Sequence, residues 1–274
     1  MTAEPVRVSA SWLRLREAAD AAARASDLVE EVRVHLPAGD CAVIHDLGAG
    51  TGSMGRWLAP RLTGRQHWIL YDRDVDLLAH AAEGMPARAA DGAAVTVETR
   101  QRDITRLGPG ELAGASLVTA SALLDMMTAD ELERFVTTCA DAGCPALVTI
   151  SVIGRVDLTP ADPLDESIAS AFNAHQRRTT GSGRLLGPDA VDAAVDAFTR
   201  LGADVLVRPS PWRLGAAQAA LAIQWLTGWV GAACEQRPEL TSDASAYVRG
   251  RVAQASAGRL SVRVHHHDLL ARPR

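Results

Sequence analysis

The chain contains no lysine: all 28 of its basic residues are arginine. Chemistry that needs a lysine amine is therefore excluded, including the Tyr/Lys pair of the common short-chain nicotinamide oxidoreductases. Tyrosine is scarce too, with only Tyr71 and Tyr247. In a chain this rich in alanine, the arginine preference fits a GC-rich, bacterial genome. The choice of Arg at any one position therefore says little about function. Cysteine is sparse. Cys41, Cys139, Cys144 and Cys234 form no metal-spaced pair and imply no disulfide framework, which fits a reducing, cytoplasmic setting. Cys41 and Cys139 fall in apolar patterns and read as small core residues. A basic surplus is missing as well. The formal net charge is −5, which argues against a large nucleic-acid-binding face. Met1 to Ala10 lack the apolar region of a signal peptide, so none is expected.

Charge is absent between Arg213 and Glu235, a stretch long enough to span a bilayer. It is nevertheless rich in Ala and Gly and carries Gln218, Gln224 and Thr227. Leu221, Trp225, Gly228 and Ala232 recur near helical spacing, so a buried helix face is expected rather than a membrane span. At 274 residues, with 47% hydrophobic and 22% charged content, the chain fits one elaborated soluble domain covering residues 1–274.

What is present is concentrated in Ile44-His45-Asp46-Leu47-Gly48-Ala49-Gly50-Thr51-Gly52. A short apolar strand runs into an acid. Three alternate glycines follow, then a helical pattern. Glycines there allow a sharp turn and a close ligand approach that a Cβ would block. Twenty residues on, Trp68-Ile69-Leu70-Tyr71 ends in Asp72, an acid placed to hold ribose hydroxyls. Together these point to an adenosine-containing cofactor. Gly50, Gly52 and Gly55 also spell G-x-G-x-x-G, so a nicotinamide or flavin must be weighed. In dinucleotide sites, however, the first glycine follows the strand almost at once, so that pyrophosphate reaches the helix N-terminus. Here Asp46 intervenes and would set a negative charge against a phosphate. S-adenosylmethionine, with a sulfonium, an ammonium and no phosphate, suits that acid better.

Asp46-x-Gly48-x-Gly50-x-Gly52 resembles the first motif of class I S-adenosylmethionine-dependent methyltransferases, and Asp72 in Leu70-Tyr71-Asp72-Arg73-Asp74 resembles the second. Asp103 in Arg102-Asp103-Ile104 is similar to the acid after their third strand, and Ser116 to Asp125 to their fourth strand and the segment entering the active site. The motifs fall in order over residues 42 to 125. The resemblance implies S-adenosyl-L-methionine as cofactor, held by Asp46, Gly48, Ala49, Gly50, Gly52, Asp72, Arg73, Asp103, Ile104 and Ser121, with Asp103 on the adenine amino group. It also implies an α/β fold: a Rossmann-like sheet of six parallel strands and an antiparallel seventh, with helices on both faces. The function implied is methyl transfer to O, N or C of a small-molecule acceptor by in-line displacement. A nicotinamide-dependent oxidoreductase and a non-catalytic cofactor-binding protein are the alternatives. The nucleic-acid signature Asn/Asp-Pro-Pro-Tyr/Phe is absent after strand four, where Ser121-Ala122-Leu123-Leu124 stands, so a nucleic acid is not expected as partner, nor, from the composition of the uncharged segment, is a membrane. The acceptor's identity and the oligomeric state stay open.

Periodicity places strands at Cys41–Asp46, His67–Tyr71, Ala94–Glu98, Ser116–Ala120 and Pro145–Ser151. Helices fit Met54–Leu62, Val75–Glu83 and Ala129–Asp141. One N-terminal helix is expected over Trp12 to Val34, within residues 11–35. Later come a helix from Pro188 to Leu201 and a strand from Asp204 to Arg208. Two helices are expected within 213–256, and a final alternating run from Leu260 resembles the seventh strand. Residues 155–187 and 213–256 are expected to form a helical cap over the strand ends, shaping the acceptor pocket.

In that cap, Asn173-Ala174-His175-Gln176-Arg177-Arg178 combines donors, an acceptor and a group that titrates near neutrality. His175 is the first candidate for a general base and Asp125 the second, with Asn173, Gln176 and Arg177 as acceptor contacts. Arg16, Asp20 and Arg24 share a helix face. That spacing gives ordinary ion pairs, or lets Arg16 or Arg24 reach the cofactor carboxylate. His265-His266-His267 alternate across a strand and cannot converge on one ion, so no metal site is expected.

Overall fold

Short apolar strands alternating with amphipathic helices bury their side chains only if helices cover both sheet faces. The computed structural model, which describes residues 8–274 except 38 and 109, is built that way. The segment before residue 8, where no signal peptide is read, lies outside the described residues. After α1 (Ala10–Ala23) and α2 (Asp27–His35) come β1 (Ala42–Leu47), α3 (Ser53–Leu58), β2 (Gln66–Asp72), α4 (Val75–Gly84) and β3 (Val95–Gln101). Next are β4 (Leu117–Ser121), α5 (Ala129–Asp141) and the long β5 (Ala146–Thr159). The rest comprises α6 (Asp165–Gln176), a small hairpin of β6 (Thr179–Thr180) and β7 (Gly183–Arg184), α7 (Ala190–Arg200), β8 (Asp204–Pro209), β9 (Trp212–Leu214), α8 (Ala219–Gln236), α9 (Thr241–Ser256) and β10 (Ser261–Arg272).

The sheet order is β3-β2-β1-β4-β5-β10-β8. Parallel pairing runs from β3 to β5. β10 lies antiparallel between β5 and β8, so six strands share one direction and the penultimate position is reversed, as expected. An eighth, unexpected strand, β9, extends the line of β8 and pairs with β10. Alternate residues of each strand enter opposite cores. Ile69 and Leu269 pack toward α5 and α7, while Leu70 and Leu270 pack toward α2, α3 and α4.

Beyond the sheet's carboxyl edge, β5 and β10 continue as a ribbon that pairs from Ala146–Ala271 out to Thr159–Ser261. A third core of α6, α8, α9 and β9 sits on this ribbon. The expected cap therefore begins later than its sequence bounds, because residues 155–159 and 213–214 are strand. The buried face of α8 is also turned from the expected one. Leu221 and Trp225 face inward, but the inner row continues through Leu226, Trp229 and Ala233, and Gly228 is exposed. No helix among the described residues is long and apolar enough to cross a membrane.

The N-terminal helix is not continuous as expected. It breaks at Arg24, whose ψ is 135°. A continuous helix would send the Ala25 N–H back to the carbonyl four residues earlier. Instead that N–H donates to Asp268 Oδ2 at 2.8 Å, on the last strand.

Candidate functional site

The carboxyl ends of β1, β2, β4 and β5 open into one cleft of about 480 Å³, roofed by α1, α6 and α8. At its centre the chain leaves β1 through Gly48 (φ 70°) and Gly50 (φ 55°), a left-handed backbone that side chains disfavour. A Cβ on Gly50 would lie 3.1 Å from the Leu13 side chain of α1, so the roof touches the turn directly. Gly52 is not in the cleft wall. It lies below, where a Cβ would meet the Ala81 backbone at 3.1 Å.

Asp72, at the tip of β2, accepts from the Gly50 N–H at 2.9 Å and the Asp74 N–H at 3.0 Å. Each oxygen can accept a further hydrogen bond, and Asp72 lines the cleft. Asp46 is 1% exposed. Its Oδ1 accepts from Thr119 Oγ1 at 2.8 Å, while Oδ2 is buried without a partner in the cleft wall. Burial pushes its carboxyl up to about 6, against the pull of the Thr119 hydrogen bond and the Arg24 charge.

The structure brings Asp46, Gly48, Ala49, Gly50, Asp72 and Arg73 to one wall. Ile104, Ser121, Asp125 and Arg16 join them from neighbouring elements, and Asn173 and Gln176 face them from α6. Besides Gly52, three site residues named from sequence do not line the cleft. Asp103 turns its Oδ1 to the Thr105 N–H and hydroxyl, capping its own turn. The ring of His175 faces the end of α8, with Nε2 3.1 Å from Glu235 Oε2. Arg177 makes paired 2.6 Å bonds to Asp189 in a separate depression. The candidate acid–base group is therefore Asp125, half-buried in the cleft wall, its carboxyl raised by desolvation against the fields of Arg16 and Arg178.

Arg16 and Arg24, equivalent by spacing, differ in their surroundings. Arg16 is neutralised by Asp20, through Nε at 2.9 Å and Nη2 at 3.2 Å. Arg24, 4% exposed, has no carboxylate within ion-pair distance among the described residues. Its guanidinium donates to Ser53 Oγ and Ser121 Oγ, both at 3.1 Å, and more weakly to Thr149 Oγ1, and lies over the Trp57 ring. Burial lowers its pKa, outweighing the fields of Asp20, Asp268 and Asp46, none of which is close enough to pair with it. Ser53 and Ser121, its partners, both line the cleft. The i, i+4, i+8 spacing marked the face but not which arginine lay beneath the cleft floor.

Sequence reasoning also passed over the aromatic half of the cleft, Trp12, Phe172, Trp212 and Trp225. The three consecutive histidines have three surroundings. His265 Nε2 is 2.7 Å from Asp157, His266 is buried edge-on to Trp212 and pushed down to about 3, and His267 is half-buried. Among the described residues no cluster of His, Cys, Asp or Glu is built to hold a metal.

No family model and no curated protein matches the chain. Among solved structures, the cyclopropane synthase MmaA2 from Mycobacterium tuberculosis is similar at a TM-score of 0.48 and 12% identity, over 90% of this chain and 84% of that one. The geranyl diphosphate C-methyltransferase of Streptomyces coelicolor A3(2) is similar at 0.48 and 12%, over 91% and 80%. A SAM-dependent methyltransferase from Thiobacillus denitrificans, in complex with S-adenosyl-L-homocysteine, gives 0.46 and 13%, over 98% and 100%.

Proposed function

We propose that the chain is a methyltransferase that uses S-adenosyl-L-methionine on a small-molecule acceptor. The observation that carries this reading is Asp46 Oδ2, a buried carboxylate oxygen without a partner where the glycine turn opens into the cleft. An unpaired anion there favours a cationic ligand and opposes the pyrophosphate of a dinucleotide. Asp72, with a free lone pair on each oxygen, is placed for ribose hydroxyls. Arg24, through Ser53 and Ser121, supplies the positive field that a methionine carboxylate needs. Ile104 offers an apolar wall for adenine.

When bound, the cofactor supplies a methyl group already activated on sulfonium. The residues of the chain orient both partners and exclude water under the α1–α6–α8 roof. Asp125 is the group placed to take a proton from the acceptor. The roofed cleft beside the cofactor wall supports catalysis over simple cofactor storage. Four free thiols support a reducing, cytoplasmic setting, and the all-arginine usage supports a bacterial source.

Titration calorimetry with S-adenosylhomocysteine and with NAD tests the reading, and binding of NAD alone would sink it. Asp72→Ala is expected to weaken S-adenosylhomocysteine by about 1.5–3 kcal/mol, the usual value of hydrogen bonds to a charged group.

Asp46 adds a pH signature. A cation beside it favours the ionised carboxylate, so binding of S-adenosylmethionine expels the Asp46 proton at low pH. With the group at about 6 in the free protein, affinity should be full above pH 7 and fall by about tenfold by pH 5. Asp46→Asn should remove that slope. A flat affinity profile from pH 5 to 7.5 in the unaltered protein would take Asp46 out of contact with the cation.

A further inference from the structure

The chain is poor in aromatic residues, at 4%, yet three of its six tryptophans, Trp12, Trp212 and Trp225, line this one cleft together with Phe172. Two of the indoles are held in fixed planes. Trp212 donates its Nε1–H to Asp20 Oδ1 at 2.9 Å and meets Trp12 edge-to-face at 6.5 Å. Trp225 stacks on the buried Trp229 at 5.1 Å. Rigid indole surfaces set before the ligand arrives favour a flat aromatic ligand over a flexible chain, which would lose more freedom on binding.

The charges around them narrow the class further. Arg16 is paired with Asp20 and lies 5.1 Å over the Trp212 ring, so one face of that ring already holds a cation. Arg155 and His265 both pair with Asp157. The arginines that line this half, Arg16 and Arg155, each already have a carboxylate partner, which disfavours an anionic acceptor. For a cationic acceptor the carboxylate open in this half is Asp125, and the fields of Arg16 and Arg178 already offset its charge. The polar groups that stay available among the described residues include the Gln176 amide, His266 Nδ1, buried without a partner beside Trp212, and the Asp125 carboxyl, which takes a hydrogen bond only from its own backbone. A cleft of about 480 Å³ that must also hold the cofactor leaves room for one or two rings, not a long lipid tail.

We propose that the acceptor is a small uncharged aromatic alcohol, a phenol or naphthol, packed against the Trp212–Trp225 wall, and that Asp125 takes its proton. This rests on the S-adenosylmethionine reading above. The hydroxyl oxygen forms a bond to the sulfonium methyl carbon as the carbon–sulfur bond breaks. The bonding pair stays on sulfur, giving the neutral thioether, and the hydroxyl proton passes to the Asp125 carboxylate. The products are the aryl methyl ether, S-adenosylhomocysteine and protonated Asp125, which returns its proton to solvent.

The test uses the full chain saturated with S-adenosylhomocysteine, titrated by tryptophan fluorescence and calorimetry with 2-naphthol, 2-naphthoate, 1-naphthylmethylammonium and 1-decanol. The expected result is quenching and binding by 2-naphthol at least about tenfold tighter than by the other three. Trp225→Ala should weaken naphthol about tenfold and leave S-adenosylhomocysteine unchanged. Asp125→Asn should keep naphthol affinity within about threefold but slow methylation about a hundredfold or more at pH 7. Its rate should recover as pH rises and the naphthol ionises unaided, a recovery that a merely structural Asp125 would not give. Equal or tighter binding of the ammonium, the carboxylate or the decanol overturns the aromatic-alcohol class. Unchanged methylation by Asp125→Asn overturns the base. Failure of S-adenosylhomocysteine to bind at the outset overturns the parent reading instead, so the two failures are distinguishable.

Discussion

Replacing Asp268 by alanine is expected to destabilise the fold by about 3–5 kcal/mol, since each buried donor left unpaired costs about 1–3 kcal/mol. Asp268 is fully buried on β10 and accepts from three places that regular structure leaves unpaired. The Ala25 N–H reaches Oδ2 at 2.8 Å from the break between α1 and α2. The Ile150 N–H reaches Oδ1 at 2.7 Å. That residue has a φ of 56° within β5, a conformation costing about 1–3 kcal/mol for a non-glycine residue. The Ser210 hydroxyl reaches Oδ1 at 2.5 Å from the gap between β8 and β9. One carboxylate thus pins three irregularities at the edge of the cleft. Asp268→Asn should cost less, because its carbonyl still accepts from Ile150 and Ser210, but its amide faces the Ala25 N–H donor against donor. Urea denaturation measures both losses. Hydrogen exchange of the asparagine variant should quicken first around Ala25. A loss under about 1 kcal/mol for the alanine variant would show that these donors find other partners.

That same contact explains what the sequence showed and what it hid. The glycine turn, Asp46 and Asp72 were legible because their signals are local: strand, acid, alternate glycines, helix, then a second strand ending in an acid. The sheet order followed from alternation of strands and helices, and the reversed β10 from its resemblance to a known arrangement. The break at Arg24 was hidden because Trp12 to Val34 keeps helical periodicity throughout. The group that breaks the helix, Asp268, lies 243 residues from Ala25 in sequence. The ribbon of β5 and β10 was hidden for a related reason. Residues past Ser151 are only half-buried by helices arriving much later in the chain, so their alternation is weak. The placement of His175 was hidden for a different reason. Phe172, Asn173 and Gln176 share one face of α6 at helical spacing and line the cleft. His175, two positions after Asn173, falls on another face and meets Glu235 instead.

Replacing Arg24 by methionine should separate binding from stability, moving them in opposite directions. In the free protein Arg24 is a buried cation satisfied only by neutral oxygens of Ser53, Ser121 and Thr149. Burying an ion costs several kcal/mol, which the more distant fields of Asp20, Asp268 and Asp46 offset only in part, and apolar replacement of buried ionic groups is often neutral or stabilising. Methionine keeps much of the volume over the Trp57 ring. The melting temperature should therefore hold or rise, although Ser53 and Ser121 lose a donor. Cofactor binding should suffer. If the methionine carboxylate lies over the two serines, Arg24 is its counter-charge in a poorly solvated place. Losing one partner of such a pair typically costs about 2–5 kcal/mol. S-adenosylhomocysteine affinity should fall on the order of 100-fold, measured by calorimetry beside thermal unfolding of the same samples. Arg16→Met, by contrast, should change affinity little through charge, because Asp20 already neutralises Arg16. A collapse of stability with unchanged affinity in Arg24→Met would make Arg24 a purely structural group. Loss of affinity in a protein that melts no lower would tie its charge to the ligand, because the variant then keeps the fold and lacks only the cation.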